Sequence, residues 1–175
     1  MNTANKLTLL RVAMIPMFLV VLYWGFPGSN YAALTIFVLA SLTDLADGYI
    51  ARQYNQVTDF GKFMDPLADK VLVVTAMLWF VECGRLPAWA VAIVIFREFA
   101  VSGMRLIAAE RGRVIAAGWS GKVKTASTMV GLCLMFLPLP ASITAVCVAV
   151  IVVTTLYSGI EYFIKNWDIM DWSNL

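Results

Sequence analysis

Long apolar runs alternate with short polar breaks along nearly the whole chain. A membrane-spanning helix needs about 20 mostly apolar residues. The runs predict six helices, at residues 7–26, 31–52, 58–81 (or 66–81), 88–109, 125–137 and 143–164. The fifth run is short, so we expect that helix to begin earlier. Glycine and proline residues predict turns at 25–30, 84–87 and 138–140, and a basic connector is predicted at 111–124.

The composition places the chain in the membrane class. It is 61% hydrophobic and 14% charged, whereas soluble domains are about half apolar and roughly a quarter charged. We therefore predict an all-α integral membrane protein, with residues 1–175 forming a single six-transmembrane-helix bundle. The net charge of +2 is too small to indicate nucleic-acid binding.

The first 26 residues resemble a signal peptide, because Lys6 and Arg11 precede an apolar run. However, Asn5, Thr8 and Arg11 share one helical face, and no clear A-x-A cleavage site follows. We interpret this segment as an N-terminal amphipathic lead-in to a retained first helix.

The distribution of basic residues predicts the orientation of the six helices. One side of the membrane would receive ten basic residues, namely Lys6, Arg11, Arg52, Lys62, Lys70, Arg111, Arg113, Lys122, Lys124 and Lys165. The opposite side would receive only Arg85. Arg97 and Arg105 lie within the fourth run. The positive-inside rule then places both termini in the cytoplasm.

The chain has no histidine, and its three cysteines are far apart with no CxxC pair. These absences exclude Ser-His and Cys-His nucleophiles and His-ligated zinc sites. We expect the cysteines to be reduced. Carboxylates remain as the metal ligands and proton acceptors.

Residues 43–70 concentrate five aspartates in this apolar chain. Helical spacing of about 100° per residue places Asp44 and Asp47 on one face, and Asp65 and Asp69 share another. Four carboxylates directed at one place would repel each other, which favours Mg²⁺ or Mn²⁺, and they suffice for two ions. The alternative is a set of solvated charges at helix ends, which we accept for Asp59.

Small residues lie between these acids. Gly48 and Ala51 leave one helical stripe nearly bare, and Arg52 beside it can pair with a phosphate. Together with the metal ligands, this stripe predicts a site for a diphosphate-linked nucleotide. The two small residues also suit a helix-packing groove, which does not exclude the ligand.

The pattern Asp44-x-x-Asp47-Gly48-x-x-Ala51-Arg52, followed by Gly61, Asp65 and Asp69, resembles the signature of the CDP-alcohol phosphatidyltransferase family. The resemblance implies transfer of a phosphatidyl group from CDP-diacylglycerol to an alcohol, with release of CMP. It also implies that Asp44, Asp47, Asp65 and Asp69 hold the divalent ions and that Asp69 is the general base. The implied contacts to CDP are Asn5, Thr8, Gly48, Ala51, Arg52 and Gly61.

Less specific stretches favour glycerol 3-phosphate as the acceptor. These are Asn5-x-x-Thr8-x-x-Arg11, Arg97-Glu98 with Arg105, and residues 121–125, which resemble family members that use this substrate. Its phosphate needs cations, and our candidates are Arg105, Arg111, Lys122 and Lys124. The alternative is that these cations anchor the chain at anionic headgroups. The Arg97-Glu98 pair is either a buried ion pair, an outer part of the acceptor pocket, or both.

Relatives in this family suggest a homodimer in the bacterial inner membrane with the active site facing the cytoplasm. Two other functions stay open. The acceptor could be serine or an inositol phosphate, although the cationic cluster favours a phosphorylated acceptor over serine. The chain could instead be a divalent-cation transporter, which would explain the aspartates but not Gly48, Ala51 or Arg52.

Overall fold

A computed structural model describes residues 3–53, 58–116 and 118–169. Within the helices, the side chains of residues 3–4, 45–53, 59, 60 and 62 lie outside the description. The described residues contain no strand. They form α1 (Thr3–Trp24), α2 (Ser29–Gln53), α3 (Asp59–Glu82), α4 (Ala88–Glu110), α5 (Trp119–Phe136), α6 (Ala141–Lys165) and a short 3₁₀ helix at Trp167–Ile169.

The start of α3 decides between the two predicted beginnings of the third helix. Its first residue is Asp59, and Pro66 lies inside it. Thr58 precedes the helix, and its Oγ1 accepts the backbone N–H of Gly61 at 3.0 Å. A threonine that accepts this N–H is a helix N-cap, which confirms the start at Thr58 rather than at Pro66.

The predicted basic connector at residues 111–124 is too long. Gly112, with φ 71°, lies in the turn that follows α4, and α5 already begins at Trp119. Lys122 and Lys124 are therefore helical residues. The earlier start expected for the fifth helix is confirmed.

The chain divides into two compact units, of which the first is Met1–Trp79 with Met135–Pro138. In this unit α1 packs against α2. Its core contains Phe18, Phe37 and Phe136, which are at most 1% exposed. The Phe18 ring meets the Phe136 ring edge-on, with 5.8 Å between centroids, a favourable aromatic geometry.

The second unit is Phe80–Leu134 with Leu139–Leu175. Here α4 packs against α6 and the 3₁₀ helix. The core includes Val101, Met104 and Tyr162. A β-carbon on Gly131 would lie 3.1 Å from Cδ1 of Ile151, so the glycine permits close contact between α5 and α6.

Two helical segments are long and apolar enough to cross a membrane, namely Asn5–Trp24 and Ala141–Lys165. Only 28% of the most apolar window of each is buried, so these helices turn much of their apolar surface outward. Large apolar side chains such as Phe96 and Phe99, each 74% exposed, also lie on the outside of α4. Apolar surface of this extent is typical of a lipid-facing protein.

Candidate active site

A polar stripe runs along the beginning of α1 and turns inward. Asn5, Thr8 and Arg11 follow at intervals of three residues, so they lie on one side of the helix. Thr8 is 1% exposed and Arg11 is 0% exposed. The predicted lead-in is thus continuous with α1, and its polar face contacts protein rather than water.

Arg11 is paired with the first aspartate of the motif. Its Nη1 lies 2.7 Å from Oδ1 of Asp44, whose side chain is 34% exposed. Asp65 is close enough to add Coulombic repulsion at Asp44. Arg11 therefore offsets part of the cost of holding two carboxylates near each other.

Asp65 is held by Thr8, which precedes Arg11 in the same polar stripe of α1. The Thr8 hydroxyl donates to Oδ1 of Asp65 at 2.6 Å, a short bond of the charge-assisted kind. Asp69 follows one turn later on the same side of α3 and is partly buried. The shared face predicted for these two aspartates is confirmed, because α3 continues through Pro66.

Asn5 connects α1 to the cap of α3. Its Oδ1 accepts the hydroxyl proton of Thr58 at 2.8 Å, and the same hydroxyl oxygen caps Gly61. A β-carbon on Gly61 would lie 3.3 Å from Oγ1 of Thr58, 3.5 Å from Asn5 Oδ1 and 3.6 Å from Asp65 Oδ2. A larger residue at position 61 would therefore press on the cap and on the carboxylate.

The other members of the motif lie on the last turns of α2. These residues are Asp47, Gly48, Ala51 and Arg52. Their backbone is helical as predicted, and their side chains lie outside the described residues. Among the side chains that are described, no three Cys, Asp or Glu residues form a metal-binding group. The available donors are carboxylate oxygens, the ligands that Mg²⁺ and Mn²⁺ prefer.

The four cations predicted to bind the acceptor phosphate lie in the second unit, in different surroundings. Arg105 donates from Nε to the Tyr162 hydroxyl at 3.2 Å. Arg111 donates from Nη1 to the backbone oxygen of Ile169 at 2.6 Å. Lys122 is exposed beside a groove between α5 and α6. The fourth, Lys124, is buried.

Lys124 belongs to a cluster around Glu98. Its Nζ lies 2.8 Å from Oε1 of Glu98, and Nη1 of Arg97 lies 3.0 Å from the same oxygen. The ion pair left open for Arg97 and Glu98 is therefore formed. Lys124 joins it from α5 as a second cation.

Comparison with known proteins identifies the family. Residues 1–157 match the CDP-alcohol phosphatidyltransferase family. The chain belongs to this family. A relative from Bacillus subtilis (strain 168), named CDP-diacylglycerol–glycerol-3-phosphate 3-phosphatidyltransferase, is 42% identical over 99% of both chains.

Two further relatives of this phosphatidyltransferase family have related names. One from Escherichia coli (strain K12), with the same name as the Bacillus protein, is 44% identical over 75% of this chain and 74% of its own. One from Mycobacterium tuberculosis (strain H37Rv), named probable phosphatidylglycerophosphate synthase, is 41% identical over 92% of this chain and 79% of its own.

In this CDP-alcohol phosphatidyltransferase, α1 supplies partners that the motif alone does not reveal. Arg11 was expected to mark topology, yet it contacts Asp44. Thr8 and Asn5 are predicted to contact CDP, and in the structure Thr8 contacts Asp65 and Asn5 contacts Thr58. The three-residue spacing of the stripe was the available signal, and its contact with the aspartates was missed. Contact of Thr8 and Asn5 with CDP stays a prediction.

Proposed function

We propose that this chain transfers the phosphatidyl group of CDP-diacylglycerol to glycerol 3-phosphate, giving phosphatidylglycerophosphate and CMP. The supporting observation is the similarity, over 99% of the chain, to a relative named for this reaction. The aspartate motif agrees with it, because two of its carboxylates are each held by a separate polar residue of α1.

The metal and nucleotide sites would share the aspartate motif. Asp44, Asp47, Asp65 and Asp69 would hold two Mg²⁺ or Mn²⁺ ions. A bound divalent ion supplies positive charge that stabilises the diphosphate and the departing CMP. Contacts to CDP would come from Asn5, Thr8, Gly48, Ala51, Arg52 and Gly61. In this proposal Thr8 and Arg11 also orient the carboxylates that they contact.

The chemical step needs a base and correct positioning. The acceptor hydroxyl oxygen bonds to the phosphorus atom of the phosphatidyl group, and the bond from that phosphorus to the CMP oxygen breaks. Asp69 takes the hydroxyl proton, since the chain has no histidine to do so. Because no covalent enzyme intermediate is needed, we expect a single displacement with inversion at phosphorus.

The acceptor phosphate would be bound by cations of the second unit, for which we propose Arg105, Arg111, Lys122 and Lys124. Lys122 and Lys124 are two positions apart in α5, so their side chains leave the helix about 200° apart. Their exposures are consistent with this difference in direction, since Lys122 is exposed and Lys124 is only 5% exposed. We therefore give Lys124 the larger role.

An acceptor panel tests this function. Purified protein receives CDP-diacylglycerol and Mg²⁺ with glycerol 3-phosphate, serine, inositol phosphate or no acceptor, and CMP release is measured. We expect release only with glycerol 3-phosphate, loss of release on chelation and recovery with Mg²⁺ or Mn²⁺. Release with another acceptor alone would reassign the substrate. Metal flux into sealed vesicles without CMP release would favour a transporter.

We further propose six membrane spans with both termini in the cytoplasm of the bacterial inner membrane. Cys83, exposed just after α3, would then face the outside together with Arg85. A membrane-impermeant maleimide should label Cys83 in intact spheroplasts, and Cys83→Ser should abolish the labelling. Labelling only after permeabilisation would reject this orientation.

The labelling should be done at mildly alkaline pH. Partial burial raises the pKa of the Cys83 thiol, and the adjacent Glu82 carboxylate raises it further. Because the thiolate is the reactive form, the rate of labelling should increase as the pH rises.

The homodimer remains a prediction. Light scattering of the detergent-solubilised protein would test it by measuring the mass of the particle.

A further inference from the structure

Four polar side chains from three helices meet within the second unit. These residues, the Glu98 cluster, are Arg97 and Glu98 of α4, Lys124 of α5 and Ser158 of α6. Nη1 of Arg97 and Nζ of Lys124 lie 3.0 Å and 2.8 Å from the same oxygen, Oε1 of Glu98. Nη2 of Arg97 donates to the Ser158 hydroxyl at 2.6 Å.

The cluster is largely buried and has more positive than negative charge. The side chains of Arg97, Glu98 and Lys124 are 12%, 23% and 6% exposed. Two cations thus share one carboxylate in surroundings that screen their repulsion poorly. An isolated pair of buried cations would be very costly, so Glu98 is what allows them to lie together.

The cluster also has hydrogen-bond donors that are not used. Nε of Arg97 is buried and has no acceptor among the described residues. An ammonium group has three donors, and the described residues supply Lys124 with one side-chain acceptor, Glu98. Nη1 of Arg97 and Nζ of Lys124 both contact Oε1 of Glu98, at 3.0 Å and 2.8 Å, so these two nitrogens are less than about 6 Å apart. A second anionic group with several oxygen atoms could accept from both.

Two glycines make room for Arg97. A β-carbon on Gly159 of α6 would lie 3.2 Å from its Cγ, and one on Gly121 of α5 would lie 3.6 Å from its Nη2. By contrast, a β-carbon on Gly103 of α4 would meet nothing within 4 Å. The position of Arg97 is therefore set by the backbones of both neighbouring helices as well as by its own hydrogen bonds.

We propose that Glu98 is a positioning residue, which holds Lys124 beside Arg97 so that their unused N–H groups bind the phosphate of the acceptor alcohol. This inference rests on the proposed function and assigns the two residues whose role the sequence left open. Phosphate oxygens readily accept several charge-assisted hydrogen bonds. Glu98 itself would not touch the phosphate but would act through Lys124.

The sign of the effect separates this proposal from simple electrostatics. If Glu98 were only a nearby negative charge, its removal would strengthen the binding of an anion. If Glu98 positions Lys124, its removal leaves two buried cations without their shared partner, and they move apart. Phosphate binding then becomes weaker.

The central variant is Glu98→Gln, which keeps the side-chain shape and removes the charge. We expect the KM for glycerol 3-phosphate to rise about tenfold. This is the lower end of the roughly 10–100-fold losses that follow removal of a partner that orients a metal ligand. The KM for CDP-diacylglycerol and the kcat should stay within about twofold of wild type, and Glu98→Asp should partly restore the KM. The matched control is Glu161→Gln, which removes the partner of the exposed Lys165 on α6 and should change neither KM.

A double-mutant cycle tests whether Glu98 acts through Lys124. In a Lys124→Ala background, Glu98→Gln should have little further effect on the KM for glycerol 3-phosphate, because the residue it positions is gone. Fully additive effects would overturn the proposal. A lower KM in Glu98→Gln, or a fall in kcat with both KM values unchanged, would also overturn it.

The glycines provide variants that leave every charge in place. Gly159→Ala should displace Arg97 and raise the KM for glycerol 3-phosphate about threefold, whereas Gly103→Ala should leave it unchanged. If Glu98→Gln does not fold, this pair still decides the question, and equal KM values in the two alanine variants would overturn the proposal. If wild-type protein releases no CMP with glycerol 3-phosphate, the proposed function fails first. If wild-type protein is active while the variants keep its KM, only the positioning role fails.

Discussion

Two groups of charged residues in this chain have opposite imbalances of charge. In the first unit, Asp44 and Asp65 lie close enough to repel each other, and α1 supplies Arg11 to one and the Thr8 hydroxyl to the other. In the second unit, Arg97 and Lys124 share one oxygen of Glu98. The first group has a surplus of carboxylates, and the second has a surplus of cations.

The difference indicates what each group would bind. Buried or half-buried charge is tolerated only when it is paired, so a surplus of one sign favours a ligand of the other sign. The first group would therefore bind divalent cations, and the second would bind an anion such as a phosphate. Under the proposed function, metal binding and acceptor binding would therefore fall on different parts of one sequence.

The largest effect is expected when Asp65, a proposed metal ligand, loses its charge. Asp65→Asn keeps the side-chain shape but removes that charge, so we expect CMP release to fall about 10³-fold. Mn²⁺ affinity, measured by paramagnetic resonance, should fall as well. Asp168→Asn, at an exposed carboxylate of the second unit, is the control and should retain both. Wild-type Mn²⁺ affinity in Asp65→Asn would remove this residue from the metal site.

A smaller effect is expected from the hydroxyl that orients this carboxylate. Thr8→Val removes the 2.6 Å hydrogen bond to Asp65 with little change in side-chain volume. Loss of an orienting partner typically costs roughly 10–100-fold in metal affinity or activity. We therefore expect about a tenfold loss of Mn²⁺ affinity. Thr8→Ser should restore the affinity. Thr35→Val, at an exposed hydroxyl bonded within its own helix, should have no effect. A change in the KM for glycerol 3-phosphate alone would contradict the division between the two groups.

The corresponding hydroxyl of the Glu98 cluster should act on the other substrate. Ser158→Ala removes the 2.6 Å acceptor of Arg97 and should raise the KM for glycerol 3-phosphate about threefold, since one hydrogen bond to a charged group is lost. Mn²⁺ affinity should not change. Ser127→Ala, which breaks the uncharged contact with Thr154, is the matched control. A loss of Mn²⁺ affinity in Ser158→Ala would show that the groups are not independent.

The smallest effect is expected from the exposed pair Arg113–Asp168. The hydrogen bond from Arg113 lowers the pKa of Asp168 below its ordinary value of 3.8. The pair therefore stabilises the fold when the pH is above the ordinary pKa of 3.8. This contribution is lost as the pH falls through the lowered pKa. Because both side chains are exposed, Asp168→Asn should shift the Tm at neutral pH by less than about 1 °C. A clear shift at neutral pH would show a larger structural role.

Most of the helical pattern could be predicted from the sequence. Apolar runs bounded by glycine and proline indicate helices directly, and the predicted fourth helix at 88–109 differs from α4 by one residue. The main exception was the beginning of α5, where the basic, glycine-containing stretch 111–124 suggested a connector. Polar residues within a helix hide its start when their partners, such as Glu98, come from another helix.

The aspartate site was predictable because its spacing is local. Asp65 and Asp69 are one turn apart, so any continuous helix places them on one face. The partners of the carboxylates were not predictable, because Thr8 and Asp65 are 57 residues apart in sequence. Nothing in the residues near Arg11 indicates that it pairs with Asp44 rather than marking topology. The roles of Asp47, Gly48, Ala51 and Arg52 stay predictions.

The cap at Thr58 has a consequence for the order of assembly. Thr58 can accept the N–H of Gly61 as soon as its own turn forms, but its bond to Asn5 joins residues 53 apart. Contacts of such long range form late, after the intervening chain has been closed into a loop. A nascent chain would thus present its aspartates on separate helices at first. The carboxylates would acquire their common geometry only when the third helix docks on the first, so the metal affinity expected under the proposed function would report completed assembly.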